Sequence, residues 1–307
     1  SDEFVRAYEE ARGGKVVLGK AHTVPGSIGA LVAGYLESAD FRLLADNTRR
    51  TYRYHLERFR RANGTKPLRD ITREALVKKL DTMAHQPATA NIFLKVMKAM
   101  CAYAVGRGIM KVNPCRDIKR MRDKTDGIHT WTDAQIEQFE KRWPVGTKEN
   151  LALRLHLYTA QRRSDVILMG RQHERNGSIV MRQRKTGMRL VLPIIAPLRE
   201  ALDKSPTGDL TYLVTEFGKP FSGAGFGNWF RDKCNAAGLK QCSAHGLRKA
   251  AARRLAEAGK SVHEIMAITG HRALSEVERY TRAANQEALA VRASDGLSGA
   301  KKEPGNG

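Results

Sequence analysis

The residues most able to do chemistry lie between positions 243 and 282, where two imidazoles, a guanidinium and a phenol occur close together. His245 and Arg248 are three residues apart, so on a helix they share a face. His271 directly follows Gly270, a residue typical of a left-handed helix end, and Tyr280 comes nine positions later. A guanidinium and imidazoles suit a phosphate oxygen, and a phenol can act as a nucleophile. The stretch is therefore suited to holding a phosphate beside a nucleophile.

Helical elements must position these side chains. The apolar run from Val262 to Ile268 predicts a helix that ends at Gly270. Ser275 and Glu278 have the spacing of a capping box, which predicts a following helix with Tyr280 in its second turn. Each residue alone also has a plain structural explanation, since a single helical Tyr is most often a half-buried packing residue. The joint pattern is more specific than any of its members.

Length and charge set the class of protein. The 307 residues are enough for two domains, and 54 Lys and Arg against 32 Asp and Glu give a net charge of +22. Such a charge favours nucleic acid, although a ribosomal or chromatin protein would share it. The apolar fraction of 41% predicts a folded chain, and no apolar run approaches the ~20 residues of a membrane span. We expect no membrane partner.

The cysteines indicate neither a zinc site nor a disulfide framework. They are scattered and include no C-x-x-C motif. This pattern fits a reducing compartment, and we expect a cytoplasmic protein. The four residues are Cys101, Cys115, Cys234 and Cys242.

Residues 23–120 predict an all-helical domain. Ser27, Asn47 and Thr72 are the predicted N-caps of its first three helices, and a fourth helix runs from about 89 to 105. The second helix is rich in arginine, and few acids accompany it. A solvated basic face is the usual explanation of such a set, but its density favours DNA phosphates. The six residues are Arg49, Arg50, Arg53, Arg58, Arg60 and Arg61.

Polar segments divide the chain. Residues 121–129 predict an interdomain linker, and residues 294–307 a disordered tail. Residues 1–22 form an N-terminal extension for which the sequence indicates no function.

The second domain is expected at 130–293. Thr132 and Gln135 form a capping-box pattern, and a leucine-rich helix runs from about 148 to 160. Asn176-Gly177 predicts a hairpin turn, with strands at 178–182 and 189–193 and a second turn at Lys185-Thr186-Gly187. Helices are expected within 196–237, with a loop at 212–225.

Taken together, the His-x-x-Arg, Gly-His and Tyr pattern resembles the C-terminal box of the tyrosine recombinases, the phage integrase family. On this resemblance Arg162 matches the first essential arginine, Asp165 a supporting acid and Lys185 the lysine of the hairpin turn. The residues before Arg162 are Ala160-Gln161, where the family usually has Gly-Leu. The resemblance implies a mainly α fold with a small antiparallel β-sheet. It also implies an N-terminal helical core-binding domain followed by a mixed α/β catalytic domain.

The same resemblance implies a site-specific recombinase that cuts and rejoins DNA. Tyr280 would attack the phosphodiester and leave a 3′-phosphotyrosyl link. Arg162 and Arg248 would clamp the non-bridging oxygens, and His271 would donate a further hydrogen bond. His245 is expected to take the phenol proton. Lys185 is expected to protonate the leaving 5′-oxygen.

The phosphotyrosyl link conserves the energy of the broken phosphodiester bond, so rejoining needs no ATP and the resemblance implies no cofactor. The expected partners are double-stranded DNA and three further copies of the chain, which would form a homotetramer on synapsed sites; without DNA a monomer is possible. The element moved would be a phage or another mobile element.

Two other classes remain open. A type IB topoisomerase would use the same chemistry to relax nonspecific supercoiled DNA as a monomer. A non-catalytic DNA-binding protein would share the charge but would not require Tyr280, Lys185 and both arginines together.

Overall fold

The computed structural model describes residues 24–122 and 127–281, together with positions 290 and 294. The predicted N-terminal extension and nearly all of the predicted tail lie outside the described residues. The chain divides into two compact units, residues 1–125 and 126–307. The predicted linker at 121–129 spans this division, and its limits stay a prediction.

The described part of the first unit is helical. Its core is formed by apolar residues spaced four apart, such as Val96 and Met100, together with Val32 and Leu56, all of which are fully buried. Ile92 lies four residues before Val96, a spacing that predicts the same buried face, but it is exposed. The helices are α1 (Ile28–Leu36), α2 (Ala39–Arg42), α3 (Asp46–Asn63), α4 (Arg73–Asp81) and α5 (Pro87–Gly106).

Two of the three predicted caps are confirmed. The Ser27 hydroxyl accepts from the Ala30 amide, and the Thr72 hydroxyl accepts from the Ala75 amide. The prediction for Asn47 is wrong, because α3 begins one residue earlier, at Asp46. An acid in the first turn favours this start, since it interacts well with the positive end of the helix dipole.

The second unit combines helices with a small sheet. Trp131 is buried in its core against Phe139 and Phe230, and the Trp131 indole donates to the Ser243 carbonyl at 2.9 Å. The helices are α6 (Asp133–Arg142), α7 (Lys148–Thr159), α8 (Arg163–Val166), α9 (Ala196–Lys204), α10 (Gly223–Ala236), α11 (Ala244–Glu257), α12 (Val262–Thr269) and α13 (Leu274–Thr281). The strands are β1 (Glu174–Arg175), β2 (Ser178–Arg182) and β3 (Arg189–Pro193).

The described residues form one antiparallel sheet, in the order β1-β2-β3. Alternate residues face the core, so Ile179 and Leu192 are buried as a register pair. The turn between β1 and β2 falls at Asn176-Gly177, both with positive φ, as the sequence predicts. Strands β2 and β3 also have the predicted bounds, whereas the two-residue strand β1 has too little pattern to be found in the sequence.

Two boundaries differ from the sequence predictions. Helix α10 begins at Gly223, inside the expected loop at 212–225, because the Ser222 hydroxyl caps it by accepting from the Gly225 amide. Ser275 was expected to precede the last helix, but α13 already begins at Leu274. Capping boxes are present where Ser261 and Glu264 open α12 and, as the sequence predicts, where Thr132 and Gln135 open α6.

The mainly α fold with a small antiparallel sheet is confirmed. Among the described residues, no helix combines the length and apolar character required to cross a membrane.

Candidate active site

Arg248 and His271 form a buried contact at the centre of the second unit. Arg248 is 1% exposed and His271 is 3% exposed. A guanidinium nitrogen of Arg248 lies 2.7 Å from Nε2 of His271, and the other terminal nitrogen donates to the Ala160 carbonyl at 2.5 Å. Helix α11 carries Arg248, and the left-handed Gly270 that ends α12 turns the chain so that His271 meets it.

The hydrogen bonds fix the tautomer of His271. A guanidinium can only donate, so Nε2 of His271 must accept from Arg248. The proton therefore lies on Nδ1, which donates to the Thr269 hydroxyl at 2.7 Å, and that hydroxyl donates to the Ile265 carbonyl. Burial and the positive charge of Arg248 lower the pKa of His271 to about 3. Nε2 of His271 therefore accepts from Arg248 and orients it, and the hydrogen bond that the sequence predicts from His271 to a phosphate oxygen stays a prediction.

Arg162 lies at the start of α8, just after a left-handed residue. Ala160 ends α7 with φ 53° and ψ 25°. An L-residue adopts this conformation at a cost, and glycine does so freely, which explains the family's usual glycine at this position. The turn directs the Ala160 carbonyl to Arg248 and places Arg162, which is half-buried, two residues further on.

Lys185 is exposed in the turn between β2 and β3. Two side chains that follow α7 in sequence hold this turn: buried Asp165 accepts from the Arg184 amide at 2.9 Å, and Arg162 donates to Gln183 at 3.0 Å. The supporting acid predicted at Asp165 is therefore in contact with the backbone of the lysine turn.

His245 lies on α11, one turn before Arg248, and its side chain is exposed while Arg248 is buried. Desolvation lowers the pKa of His245, and the positive charges of Arg248, Lys249, Arg162 and Lys185 lower it further. The imidazole thus lies within the electrostatic field of both arginines and of the hairpin lysine. A lowered pKa favours the neutral ring, which can accept a proton.

Tyr280 is in α13, but its side chain lies outside the described residues. The helix is attached by Val277, which is fully buried against Ala252 and Ala256 of α11 and Ile265 of α12. The helix with Tyr280 therefore packs on the two helices that carry or precede Arg248 and His271.

Tyr212, which lies on the loop before α10, is unsuitable as a nucleophile. It is 1% exposed, and its hydroxyl donates to Glu174 at 2.6 Å. Burial and the neighbouring Glu174 carboxylate raise the pKa of Tyr212. Its phenol is therefore inaccessible and held in the protonated form.

A pair of buried glutamines was missed by the sequence reasoning. Gln161 and Gln183 are 0% and 1% exposed, and their side-chain amides are joined by a 2.6 Å hydrogen bond. The departure from the family at position 161 was the signal that could have revealed the pair.

The six arginines of α3 have mixed environments. Arg49 and Arg60 pair with the helix's own acids Asp46 and Glu57, so the expectation of few matching acids holds only for the others. Arg53 lies over the Phe41 ring, and Arg58 over Tyr54. Arg50 and Arg61 are exposed. Arg49, Arg50 and Arg53 also line a cleft of about 620 Å³.

Within the described ranges, no three His, Cys, Asp or Glu side chains are grouped as a metal site would require.

The sequence profile of the phage integrase family matches residues 133–287. No curated protein sequence matches the chain. A lambda integrase dimer bound to a COC′ core site has a similar structure, with a TM-score of 0.73 and 20% identity over 92% of this chain and 89% of that chain.

Two further solved structures share the fold. A lambda integrase tetramer bound to a Holliday junction has a TM-score of 0.71 and 22% identity, over 89% of this chain and 88% of that chain. The Tn1549 transposon integrase in complex with transposon right end DNA has a TM-score of 0.71 and 16% identity, over 88% of this chain and 99% of that chain. At these identities the likeness establishes the fold of the chain.

Proposed function

The chain belongs to the phage integrase family, and from that premise we propose that it cuts and rejoins DNA at specific sites with Tyr280 as the nucleophile. The observation that carries the assignment of residues is the buried contact between Arg248 and His271, with Arg162 and the Lys185 turn tied to the same region. Such an arrangement keeps two guanidinium groups and a lysine near one another, which is the positive charge that a phosphodiester needs for stabilisation during cleavage.

Arg162 and Arg248 stabilise the transferring phosphate. Attack on a phosphodiester adds negative charge to its non-bridging oxygens, and guanidinium groups bind such oxygens through charge-assisted hydrogen bonds. Arg248 is held in advance by the Ala160 carbonyl and His271, so little reorganisation accompanies the reaction. Removing one such donor typically lowers the rate by about 10²–10³-fold.

His245 and Lys185 move the protons. The Tyr280 oxygen bonds to phosphorus as its proton goes to the neutral His245 ring, whose pKa is lowered by partial desolvation and by nearby cations. The bond from phosphorus to the 5′-oxygen breaks, and Lys185 supplies the proton to that oxygen. Ligation reverses both transfers, when the 5′-hydroxyl of another strand attacks the phosphotyrosine.

The partners proposed are double-stranded DNA and further copies of the chain. Similar structures include integrases bound to DNA, and one is a tetramer on a Holliday junction. We propose that four copies of this chain synapse two sites, since exchange between two duplexes requires four strand cleavages. The net charge of +22 suits a protein that acts on nucleoid DNA in the bacterial cytoplasm.

The experiment compares the unaltered protein with Tyr280→Phe on nicked DNA that carries the site selected by the protein from random sequence. The substitution removes one oxygen and keeps the ring, so we expect unchanged site affinity and complete loss of the covalent protein–DNA band on a denaturing gel. Tyr158→Phe is the matched control, since Tyr158 lies on α7 and its ring packs against the main core.

A band that survives in Tyr280→Phe would assign the attack to another residue. Loss of DNA binding in the same variant would show instead that Tyr280 is a packing residue. Relaxation of supercoiled DNA without any site, by single copies of the protein, would favour a topoisomerase.

A further inference from the structure

We propose that Gln183 is a positioning residue. Its buried amide, supported by Gln161, fixes the relative positions of Arg162, the lysine turn and the segment before His271. The proposal rests on the proposed function, because it concerns how the catalytic groups of that reaction are aligned. No catalytic step passes through Gln183 itself.

The orientation of the Gln183 amide is fixed by its neighbours. Arg162 can only donate, so the atom that faces it at 3.0 Å is the Gln183 oxygen, which also accepts from the Thr186 hydroxyl at 2.6 Å. A carbonyl can only accept, so the atom 3.0 Å from the Thr269 carbonyl is the Gln183 nitrogen. Its second proton goes to the Gln161 oxygen at 2.6 Å.

Every donor and acceptor of the Gln183 side chain is therefore used. One end contacts the first arginine and the residue after Lys185, and the other end contacts the residue two positions before His271. Because the group is 1% exposed, water cannot replace these partners when one of them moves. The three segments can therefore shift only together.

Gln161 completes the support. Its own nitrogen donates to the carbonyls of Thr159 and Ile268, at 2.8 and 2.7 Å, which leaves its oxygen for Gln183. It thereby links the end of α7 to the end of α12. A leucine at this position, as is usual in the family, would leave one proton of Gln183 without an acceptor.

The packing around Gly270 also supports a positioning role for Gln183. A Cβ atom added at Gly270 would lie 2.4 Å from the Gln183 nitrogen, closer than any side chain tolerates, and the residue also has a φ of 68°. The backbone before His271 thus lies directly against the Gln183 amide, so the amide sets how closely this segment approaches the sheet.

The test uses Gln183→Met, which keeps the length of the side chain and removes its hydrogen bonds. Two nicked substrates carry the selected site, one with the natural 5′-oxygen and one with a 5′-bridging sulfur. A thiolate leaves without a proton, so cleavage of the sulfur substrate does not need Lys185. Because misplacement by about 1 Å can cost ~100-fold, we expect cleavage of the oxygen substrate to fall by about that factor, and the defect to shrink by about tenfold with sulfur.

Asn150→Leu is the matched control, since Asn150 is a fully buried amide of the same unit that donates to the Trp143 carbonyl. It should lower the melting temperature without any difference between the two substrates. If Gln183→Met fails to fold, Thr186→Val decides the question, because it releases only the lysine turn from Gln183. Thr186→Val should likewise show a smaller cleavage defect on the sulfur substrate than on the oxygen substrate.

The outcomes separate the two proposals. Absence of any covalent complex in the unaltered protein would overturn the proposed function. Normal cleavage by that protein, with an equal defect on both substrates or no defect in the variants, would overturn the role of Gln183 alone.

Discussion

Acidification from pH 7 to pH 5 should destabilise the second unit, because two of its histidines are buried in their neutral form. His156 is fully buried, stacks on Phe226 at 5.3 Å and donates from Nδ1 to the Ala152 carbonyl. Burial lowers the pKa of His156 to about 4, and burial with the charge of Arg248 lowers the pKa of His271 to about 3. In the unfolded chain a histidine has a pKa near ~6.5.

The direction of this pH effect on stability follows from how many protons the folded and unfolded chains bind. Between the folded and unfolded pKa values the unfolded chain binds more protons, so the free energy of unfolding falls as the pH drops below about 6.5. From pH 7 to pH 5 each of the two groups removes about 2 kcal/mol, or about 4 kcal/mol together. The lowered pKa of His245 acts in the same direction. Carboxyl groups contribute little in this window, since their ordinary pKa values lie near ~4.

Tryptophan fluorescence during urea unfolding measures this unit alone, because Trp131, Trp143 and Trp229 all lie after residue 126. In His156→Leu, the difference in the free energy of unfolding between pH 7 and pH 5 should be smaller by about 2 kcal/mol. This holds whatever the substitution does to stability at either pH alone. His263→Gln is the control, since His263 is exposed on α12. If His156→Leu retained the full pH dependence, the argument from burial would be wrong.

Three further results are expected. If the arginines of α3 face DNA and the protein neutralises ~8 phosphates, the log–log slope of affinity against salt should be about −7, and a slope near zero would contradict a DNA surface there. Arg248→Lys keeps the charge but cannot make both contacts of the planar fork, so single-turnover cleavage should fall by about 100-fold with little change in site affinity; equal rates would contradict the assignment. Residues 285–292 carry Ala288, Leu289 and Val291, an apolar pattern too short to fold alone, which we propose docks on a neighbouring copy of the chain. Truncation after Ala284 should therefore weaken recombination more than binding of a single site, and gel assays of both would show this; unchanged recombination would contradict the docking.

Much of this fold follows from local patterns. Ser27 and Thr72 each provide an oxygen at a helix start, and Asn176-Gly177 fixes a hairpin turn, so these elements are found from the sequence alone. Asn47 and Ser275 are equally good caps by type, but each lies inside a helix that begins one residue earlier. Residue type and spacing alone do not show which of two adjacent residues begins the helix.

The candidate site shows the same limit. The types and spacing of Arg248 and His271 indicate phosphate chemistry, and their resemblance to a family supplies the roles. The direction of the hydrogen bond between them does not follow from spacing, because it depends on Thr269 and on burial. The contact of Gln161 with Gln183 joins residues 22 positions apart and appears only when the chain is folded.

The attachment of α13 has a consequence for how cleavage is timed. Among the described residues, Val277 packs in a cluster with Ala252, Ala256 and Ile265 that is separate from the main core. Local opening of a segment costs only the contacts that the segment itself makes, so the helix that bears Tyr280 can detach at a lower free energy than the unit needs to unfold. The arginines and their buried partners would stay assembled during that opening. The nucleophile is thus carried by a helix that packs apart from the main core, and any contact that stabilises the packing of α13 would raise the fraction of molecules ready to cleave DNA.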